Sequence, residues 1–326
     1  MTRFIAVLPW IFISLFGLWL LTVIGTAVRS YLLMFRPKFQ DLNYCRTWGL
    51  EHEEFDRALL DQSWEMVQVY SSYRDAPIAA MVLPVSGNPA GLAIFVHGIT
   101  WTRYGMLKYM QPFIDRRWHV IALDLAGHGD SPVGNKSVPA YGYHEKYDID
   151  AVVDWARNRF GPELPVILVG ESMGAATVLQ YGPIGAPLGT SSEQWKIQAI
   201  IADCSYSSAA DELDARLADT GIPQFIAKPV HTVVDALLYL FRGYHLADPS
   251  PKEAVLQTPL PILFIHGDAD TYVPTRMSQD MADRRRSLKA GPTDLLVIPE
   301  ASHAKSVMVN RDLWFDRVFA FLGQYL

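Results

Sequence analysis

The chain has 326 residues, of which 50% are hydrophobic and 12% aromatic, and its formal net charge is −6. This length and apolar content fit one large α/β domain with an excursion, and the acidic balance gives no support to nucleic-acid binding. The two cysteines are too few for a disulfide framework, and the nine histidines form no cluster with zinc spacing, so no bound metal is expected.

The N-terminal segment is a candidate transmembrane helix. No charged residue occurs from Phe4 to Val28, between Arg3 and Arg29, and a helix of this length spans about 37 Å, enough to cross a bilayer with some tilt. A cleaved signal peptide ending near Ala27 and a buried soluble helix are the alternatives. We favour an uncleaved single-pass anchor because the apolar run exceeds the roughly 7–15 residues of a signal-peptide core. The flanking basic residues slightly favour a cytoplasmic position for the rest of the chain.

The sequence predicts three parts: an anchor at residues 1–30, a polar and aromatic connector at 31–63 with a short helix through Glu51 to Leu60, and a folded domain at 64–326. In the domain, apolar runs alternate with helical patterns. Strands are predicted at Trp64–Tyr70, Ile78–Leu83, Leu92–Val96, Val120–Leu123, Val166–Val169, Ile197–Ala202, Ile262–Ile265 and Leu295–Ile298. Helices are predicted at Gly105–Arg117, Tyr143–Phe160, Ser172–Tyr181, Thr275–Leu288 and Arg311–Tyr325.

The pattern of these eight strands predicts a mostly parallel sheet. The first two alternate polar with apolar residues and are joined by a short loop, so they are expected to be antiparallel. The last six are continuous apolar runs separated by segments long enough for crossover helices, as a parallel sheet covered by helices on both faces requires.

An excursion at residues 211–251 separates the sixth and seventh strands. It carries an amphipathic helix around Glu212–Ala218 and a very apolar helix around Phe225–Phe241. An insertion at this point predicts a helical cap that overhangs the carboxyl ends of the strands, where ligands bind in such sheets. The apolar helix has two interpretations: it packs on the sheet edge and the neighbouring helix, or it covers Ser172 and lines an acyl pocket.

A serine lies at the corner between the fifth strand and the following helix, in Gly170-Glu-Ser-Met-Gly174. Such a corner needs a strained backbone at Ser172 and tolerates almost no side chain two positions to either side, which the two glycines provide. A serine hydroxyl is a poor nucleophile at neutral pH. It needs a base to take its proton, and the base needs a carboxylate to fix its tautomer.

Candidates for the acid and the base follow the last two strands. Asp270 lies in the loop after the seventh strand, and His303 lies a few residues past the eighth. With Ser172 they occur in the order Ser, Asp, His, each just beyond a strand, and their loops open on one edge of the sheet. Asp203 and Asp268 are the alternative acids.

Backbone N–H groups that could hold an oxyanion are expected at Met173, at the start of the helix, and at Ile99, in the loop after the third strand, with Thr100 as the second choice for the latter. His97 and Glu171 are interpreted as structural residues near the nucleophile. His128 belongs to the turn after the fourth strand and is not the expected base.

These motifs together resemble the α/β-hydrolase superfamily of serine hydrolases over about residues 64–326. The resemblance is carried by His97-Gly98, Asp124-x-x-Gly-His-Gly-x-Ser131, Gly170-Glu-Ser-Met-Gly174, His266-Gly-x-x-Asp270-x-x-Val-Pro274 and His303. Tyr141–Asp148, Gly170–Thr177 and Ile201–Cys204 further resemble a bacterial branch of membrane-anchored hydrolases whose substrates are mostly unassigned. The resemblance implies a triad of Ser172, Asp270 and His303 and no cofactor.

The function expected from these features is hydrolysis of a carboxylic ester, small or lipid-like, through an acyl-enzyme, by a domain held at a membrane. A peptidase or thioesterase with the same triad is the first alternative. A catalytically silent, membrane-anchored binding protein is the second, and the intact set of three residues argues against it.

Overall fold

Eight strands form one sheet in the order β1-β2-β4-β3-β5-β6-β7-β8. The strands are β1 (Glu65–Ser71), β2 (Ala76–Leu83), β3 (Gly91–Val96), β4 (Trp118–Leu123), β5 (Val166–Glu171), β6 (Ala199–Asp203), β7 (Ile262–Gly267) and β8 (Thr293–Ile298). This computed structural model describes residues 2–326, and the side chains of residues 10–326. Strand β2 is antiparallel to both of its neighbours, and β3 to β8 are parallel. The predicted eight-stranded, mostly parallel sheet is therefore confirmed.

The helices lie on both faces of this sheet, as predicted. They are α1 (Thr2–Phe35), α2 (Leu42–Glu51), α3 (Gln111–Asp115), α4 (Lys146–Phe160), α5 (Met173–Gly185), α6 (Ala209–Asp219), α7 (Gln224–Arg242), α8 (Pro251–Ala254), α9 (Arg276–Ser287), α10 (Ser306–Val309) and α11 (Arg311–Tyr325). Because side chains of a strand alternate between faces, Ile94 and Val96 of β3 enter the core with α1 and α4 to α7. Ala93 and Phe95 enter the opposite core with α3, α10 and α11.

The short helix predicted through Glu51 to Leu60 is wrong. The helix of the connector is α2, which begins after Asp41 because the Asp41 carboxylate accepts a hydrogen bond from the Tyr44 N–H. It ends at Glu51, and Glu53 then adopts a left-handed backbone with φ of 52°, which stops a helix. A separate 3-10 turn follows at Arg57–Leu59.

Helix α7, the very apolar part of the excursion, packs against α1. Its buried residues are Val230, Val234 and Leu238, and the second half of α1 buries Val23 and Ala27 in the same core. The two helices run parallel: Trp19 Nε1 donates to the Phe225 carbonyl at one end, and Arg242 donates to the Phe35 carbonyl at the other. The structure thus supports packing rather than an acyl pocket, but the main partner is α1, not the sheet edge that the sequence suggested.

Helix α1 is also long and apolar enough over Trp10–Phe35 to cross a membrane, as the sequence predicts. Helices of this length and composition also occur as signal sequences and as core helices of soluble proteins. Most of this stretch is exposed: Trp10 to Phe16 are largely free of contact with the domain, whereas Val23, Ala27, Tyr31, Met34 and Phe35 are buried in it.

Candidate active site

Ser172 occupies the sharp corner between β5 and α5, with φ of 55° and ψ of −118°. A positive φ is strained for a residue with a side chain and is held only where the surroundings determine it. Both flanking glycines are required by close backbone contacts. A Cβ on Gly170 would lie 2.5 Å from the backbone of Gly174, and a Cβ on Gly174 would lie 2.0 Å from the carbonyl oxygen of Val96.

We expect Gly174→Ala to lower the free energy of unfolding by about 3 kcal/mol or more, because the added methyl meets rigid backbone rather than a movable side chain. Gly323→Ala is the matched control, since a Cβ there meets nothing within 4 Å and alanine favours a helix by about 0.5–1 kcal/mol. Urea unfolding followed by tryptophan fluorescence measures both. Equal midpoints for the two variants would contradict the prediction.

The structure brings His303 between Ser172 and Asp270. His303 Nε2 lies 2.9 Å from Ser172 Oγ, and His303 Nδ1 lies 2.7 Å from Asp270 Oδ2. An ionised carboxylate only accepts hydrogen bonds, so it selects the tautomer with the proton on Nδ1. Nε2 is then free to accept the hydrogen bond from the serine hydroxyl. This is the arrangement in which a serine can pass its proton to an imidazole.

Hydrogen bonds hold Asp270 in its charged form. Burial alone would raise the pKa of Asp270, but hydrogen bonds from His266, His303 and the backbone N–H of Val273 outweigh it and keep that pKa well below the usual range. The N–H groups of Tyr272 and Val273 both donate to Oδ1 at 2.9 Å, which leaves Oδ2 for the two histidines. Although His266 is part of the sequence motif, its role as a donor to Asp270 could not be inferred from the motif alone.

The two alternative acids lie elsewhere. Asp203 is fully buried, accepts a hydrogen bond from Trp314 Nε1 at 3.0 Å and lies 3.2 Å from the Tyr109 hydroxyl oxygen. Burial, followed by the neighbouring Glu171 charge, raises the pKa of Asp203 to about 6. Asp268 accepts a hydrogen bond from the Glu300 N–H at 2.6 Å. In the described chain, His303 bonds to neither carboxylate.

Ile99 and Met173, the expected oxyanion donors, flank the nucleophile. The loop after β3 passes so close that a Cβ on Gly98 would lie 3.3 Å from the Ser172 Cβ, and Ile99 borders the same cavity as Ser172. Met173 is the first residue of α5, where N–H groups have no partner within the helix. Both residues are therefore located where a backbone donor could face a tetrahedral intermediate.

His97, His128 and Glu171 make structural contacts around the site. His97 Nε2 accepts from the Leu125 N–H at 3.0 Å, and burial lowers the pKa of His97 to about 4 and that of His128 to about 3. Glu171 accepts from the Tyr109 hydroxyl at 2.6 Å and pairs with Lys108 at 2.5 Å. None of the three forms a hydrogen bond with Ser172 in the described residues.

A cavity of about 300 Å³ opens above Ser172. Its walls are aromatic and charged, and come from the loops after the strands and from the connector. The residues are Trp48, Glu54, Gly98, Ile99, Thr100, Trp101, Lys108, Glu171, Ser172, Tyr272, His303, Ala304 and Lys305. The connector's Trp48 and Glu54 were not expected at this site, since nothing in their local sequence points to a contact with residues more than 100 positions away. No residue of α7 borders this cavity, so the acyl-pocket interpretation of Phe225–Phe241 is not supported.

Among the residues that the structure describes, one group of side chains has the composition of a metal site. Cys204, Asp270 and His303 place one potential ligand atom each within 4.8 Å of one another. Asp270 and His303 already use these atoms in their mutual hydrogen bond. Burial raises the pKa of the Cys204 thiol far above its ordinary value, which opposes the thiolate that a metal requires. Asp270 and His303 are therefore better suited to their mutual hydrogen bond than to binding a metal together with Cys204.

Comparisons with known proteins agree with this fold. Residues 93–318 match the alpha/beta hydrolase family. The uncharacterized protein YqkD of Bacillus subtilis (strain 168) is 32% identical over 230 residues, 70% of each chain. Among solved structures, the esterase Pf2001 of Pyrococcus furiosus superposes with a TM-score of 0.59 at 19% identity, over 83% of this chain and 96% of its own. A membrane phospholipase A, a bacterial virulence factor, gives 0.54 at 17% identity over 99% of both chains.

Proposed function

This chain belongs to the alpha/beta hydrolase family, and on that premise we propose that it is a serine hydrolase that cleaves a carboxylic ester. The observation that carries the proposal is the hydrogen-bonded series from Ser172 through His303 to Asp270 at a strained corner. No binding role requires a nucleophile, a base and an orienting carboxylate in this order, so the arrangement argues against a silent binding protein.

In the proposed mechanism, Ser172 Oγ attacks the ester carbonyl carbon while His303 Nε2 takes its proton. The N–H groups of Met173 and Ile99 donate to the oxyanion of the tetrahedral intermediate. His303 then gives the proton to the leaving alcohol, and the carbon–oxygen bond breaks to leave an acyl-enzyme. A water molecule, deprotonated by His303, attacks this ester and releases the acid and free Ser172. Asp270 keeps the imidazole oriented and stabilises its positive charge.

We propose further that residues 1–30 anchor the enzyme in a membrane as a single-pass helix and that residues 31–63 connect it to the hydrolase domain at 64–326. The exposed apolar residues of the first half of α1, such as Trp10 and Phe16, support this, because a contiguous apolar surface of this size needs a cover. The flanking charges of the helix slightly favour a cytoplasmic domain. The substrate is then a small or lipid-like acyl ester available at that surface.

The test of the proposed activity combines an active-site label with a panel of substrates. We expect purified protein to bind one fluorophosphonate per chain and to hydrolyse p-nitrophenyl esters faster than the matched thioester or p-nitroanilide. Heat-denatured protein is the control for non-specific labelling. Faster cleavage of the anilide would identify a peptidase, faster cleavage of the thioester a thioesterase, and absence of both labelling and turnover a binding protein.

A further inference from the structure

A second cavity, of about 520 Å³, lies between α1 and the cap helix α6. We call it the α1–α6 groove. Leu33 and Met34 of α1 face Leu213 and Leu217 of α6 across it, so its walls are largely apolar. The groove does not share a wall residue with the cavity above Ser172 among the residues that border either one.

One end of the groove lies beside the exposed apolar part of α1. Ile222 borders this end and is three residues before Phe225, whose carbonyl accepts a hydrogen bond from Trp19. The residues of α1 that precede Trp19 have exposed apolar side chains, among them Leu15 and Leu18. If α1 crosses a bilayer with these residues, this end of the groove opens at the membrane surface.

Two side chains in contact with each other link the groove to the catalytic cavity. The Arg216 guanidinium borders the groove and stacks on the Tyr272 ring, 4.0 Å from the ring centre. Tyr272 borders the catalytic cavity, and its ring centre is 4.8 Å from that of His303. Glu212 Oε1 accepts a 2.7 Å hydrogen bond from Arg216 Nε, which fixes the guanidinium. The Arg216–Tyr272 pair is therefore a point at which the two cavities approach each other.

The charge at the groove is positive. Arg29 of α1 borders it and forms no ion pair within residues 10–326. An exposed cation beside a largely apolar groove is complementary to the anionic headgroup of a lipid whose acyl chain lies in the groove.

We propose that the α1–α6 groove first binds the acyl chain of an anionic membrane lipid, with its headgroup beside Arg29, and that the lipid then advances so that its ester passes Arg216 and Tyr272 to reach Ser172. This inference rests on the proposed hydrolase function and names the class of substrate. It assigns the acyl chain to a surface formed jointly by the anchor and the cap, and it gives the anchor a direct part in substrate binding.

Leu33→Trp tests the groove, with Leu32→Trp as the matched control. Both leucines are exposed neighbours on α1, but only Leu33 borders the groove, and a tryptophan there occupies acyl-chain space. We expect the ratio of kcat/KM for p-nitrophenyl palmitate to that for p-nitrophenyl acetate to fall about 10-fold or more in Leu33→Trp and to stay unchanged in Leu32→Trp. Equal ratios in the two variants, with both esters still hydrolysed, would overturn the groove proposal while leaving the proposed function intact.

A second measurement does not depend on catalysis. Ser172→Ala protein is placed in phosphatidylglycerol vesicles that carry a diazirine on the acyl chain, illuminated and mapped by mass spectrometry. Cross-links to Leu213 or Leu217 support the groove. Cross-links confined to the first half of α1 would overturn it, whether or not the wild type proves to be a hydrolase.

The headgroup is tested with Arg29→Gln and the control Arg36→Gln, an exposed arginine of the same region that does not border the groove. Loss of one interfacial cation should lower hydrolysis of phosphatidylglycerol vesicles about 5-fold, with little change for phosphatidylcholine vesicles. Equal losses on both lipids, or equal effects of the two variants, would overturn the anionic-lipid assignment.

Discussion

Replacement of Ser172 by alanine is expected to abolish fluorophosphonate labelling and to lower kcat for ester hydrolysis by about 10⁶-fold. Without Oγ no acyl-enzyme forms, and His303 has no hydroxyl to deprotonate. The fold should survive, because the Ser172 side chain is bonded only to His303 in the described chain and alanine tolerates the positive φ no worse than serine. The measurements are labelling stoichiometry, turnover of p-nitrophenyl butyrate and the urea midpoint.

The matched control is Ser302→Ala. Ser302 is exposed and adjacent to His303 in the chain, yet its hydroxyl is not part of the hydrogen-bonded series. It should keep full labelling and activity. Labelling that persists in Ser172→Ala and disappears in Ser302→Ala would show that Ser172 is not the nucleophile, and the proposed function would lose its basis.

Asp270→Asn is expected to lower kcat by about 10⁴-fold with little change in KM. The Tyr272 and Val273 N–H groups donate to Oδ1, so an asparagine would place its oxygen there and its NH2 group at the Oδ2 position, facing His303. An NH2 donor there selects the tautomer with Nδ1 unprotonated and the proton on Nε2. That nitrogen can no longer accept the proton of Ser172.

Asp203→Asn separates this effect from a general loss of buried charge. Asp203 is also buried and belongs to the neighbouring polar network with Tyr109 and Trp314, but it does not bond to His303. We expect less than about a 10-fold change in kcat, since no reacting group is altered. If Asp203→Asn were the more damaging of the two, the acid would have to be assigned to the loop after β6.

The strands could be predicted from the sequence because their signals are local: six are short apolar runs between turn residues, and the first two were recognised by their alternation of polar and apolar residues. The predicted helix over Glu51–Leu60 was wrong. The helix of the connector begins after its cap Asp41, and the left-handed backbone at Glu53 prevents it from continuing. The spacing of apolar residues along the chain reveals neither feature. Helix α7 was apolar enough to suit two roles. Only its packing partner, the second half of α1, distinguishes them, and that contact joins residues about 200 positions apart.

The residues of the candidate site likewise divide into those with a local sequence signal and those without one. Ser172, Asp270 and His303 could be proposed together because each follows a strand and parallel strands end at one edge of a sheet. Their catalytic roles remain predictions until the variants above are measured. Four residues of the site could not be assigned from the sequence. His266 and Tyr272 hold Asp270 and flank His303, and the connector's Trp48 and Glu54 line the cavity. Their roles depend on side-chain directions and long-range packing.

The burial of α1 side chains in the domain core has a consequence for how the protein meets its substrate. Val23, Ala27, Tyr31 and Phe35 fix the helix to the domain as one rigid unit, so α1 is no flexible tether. If α1 spans a bilayer, Ser172 stays at a constant height and tilt above it. Encounter with substrate then becomes a search in two dimensions, and the rate should follow the number of substrate molecules per unit of membrane area rather than their concentration in the surrounding solution.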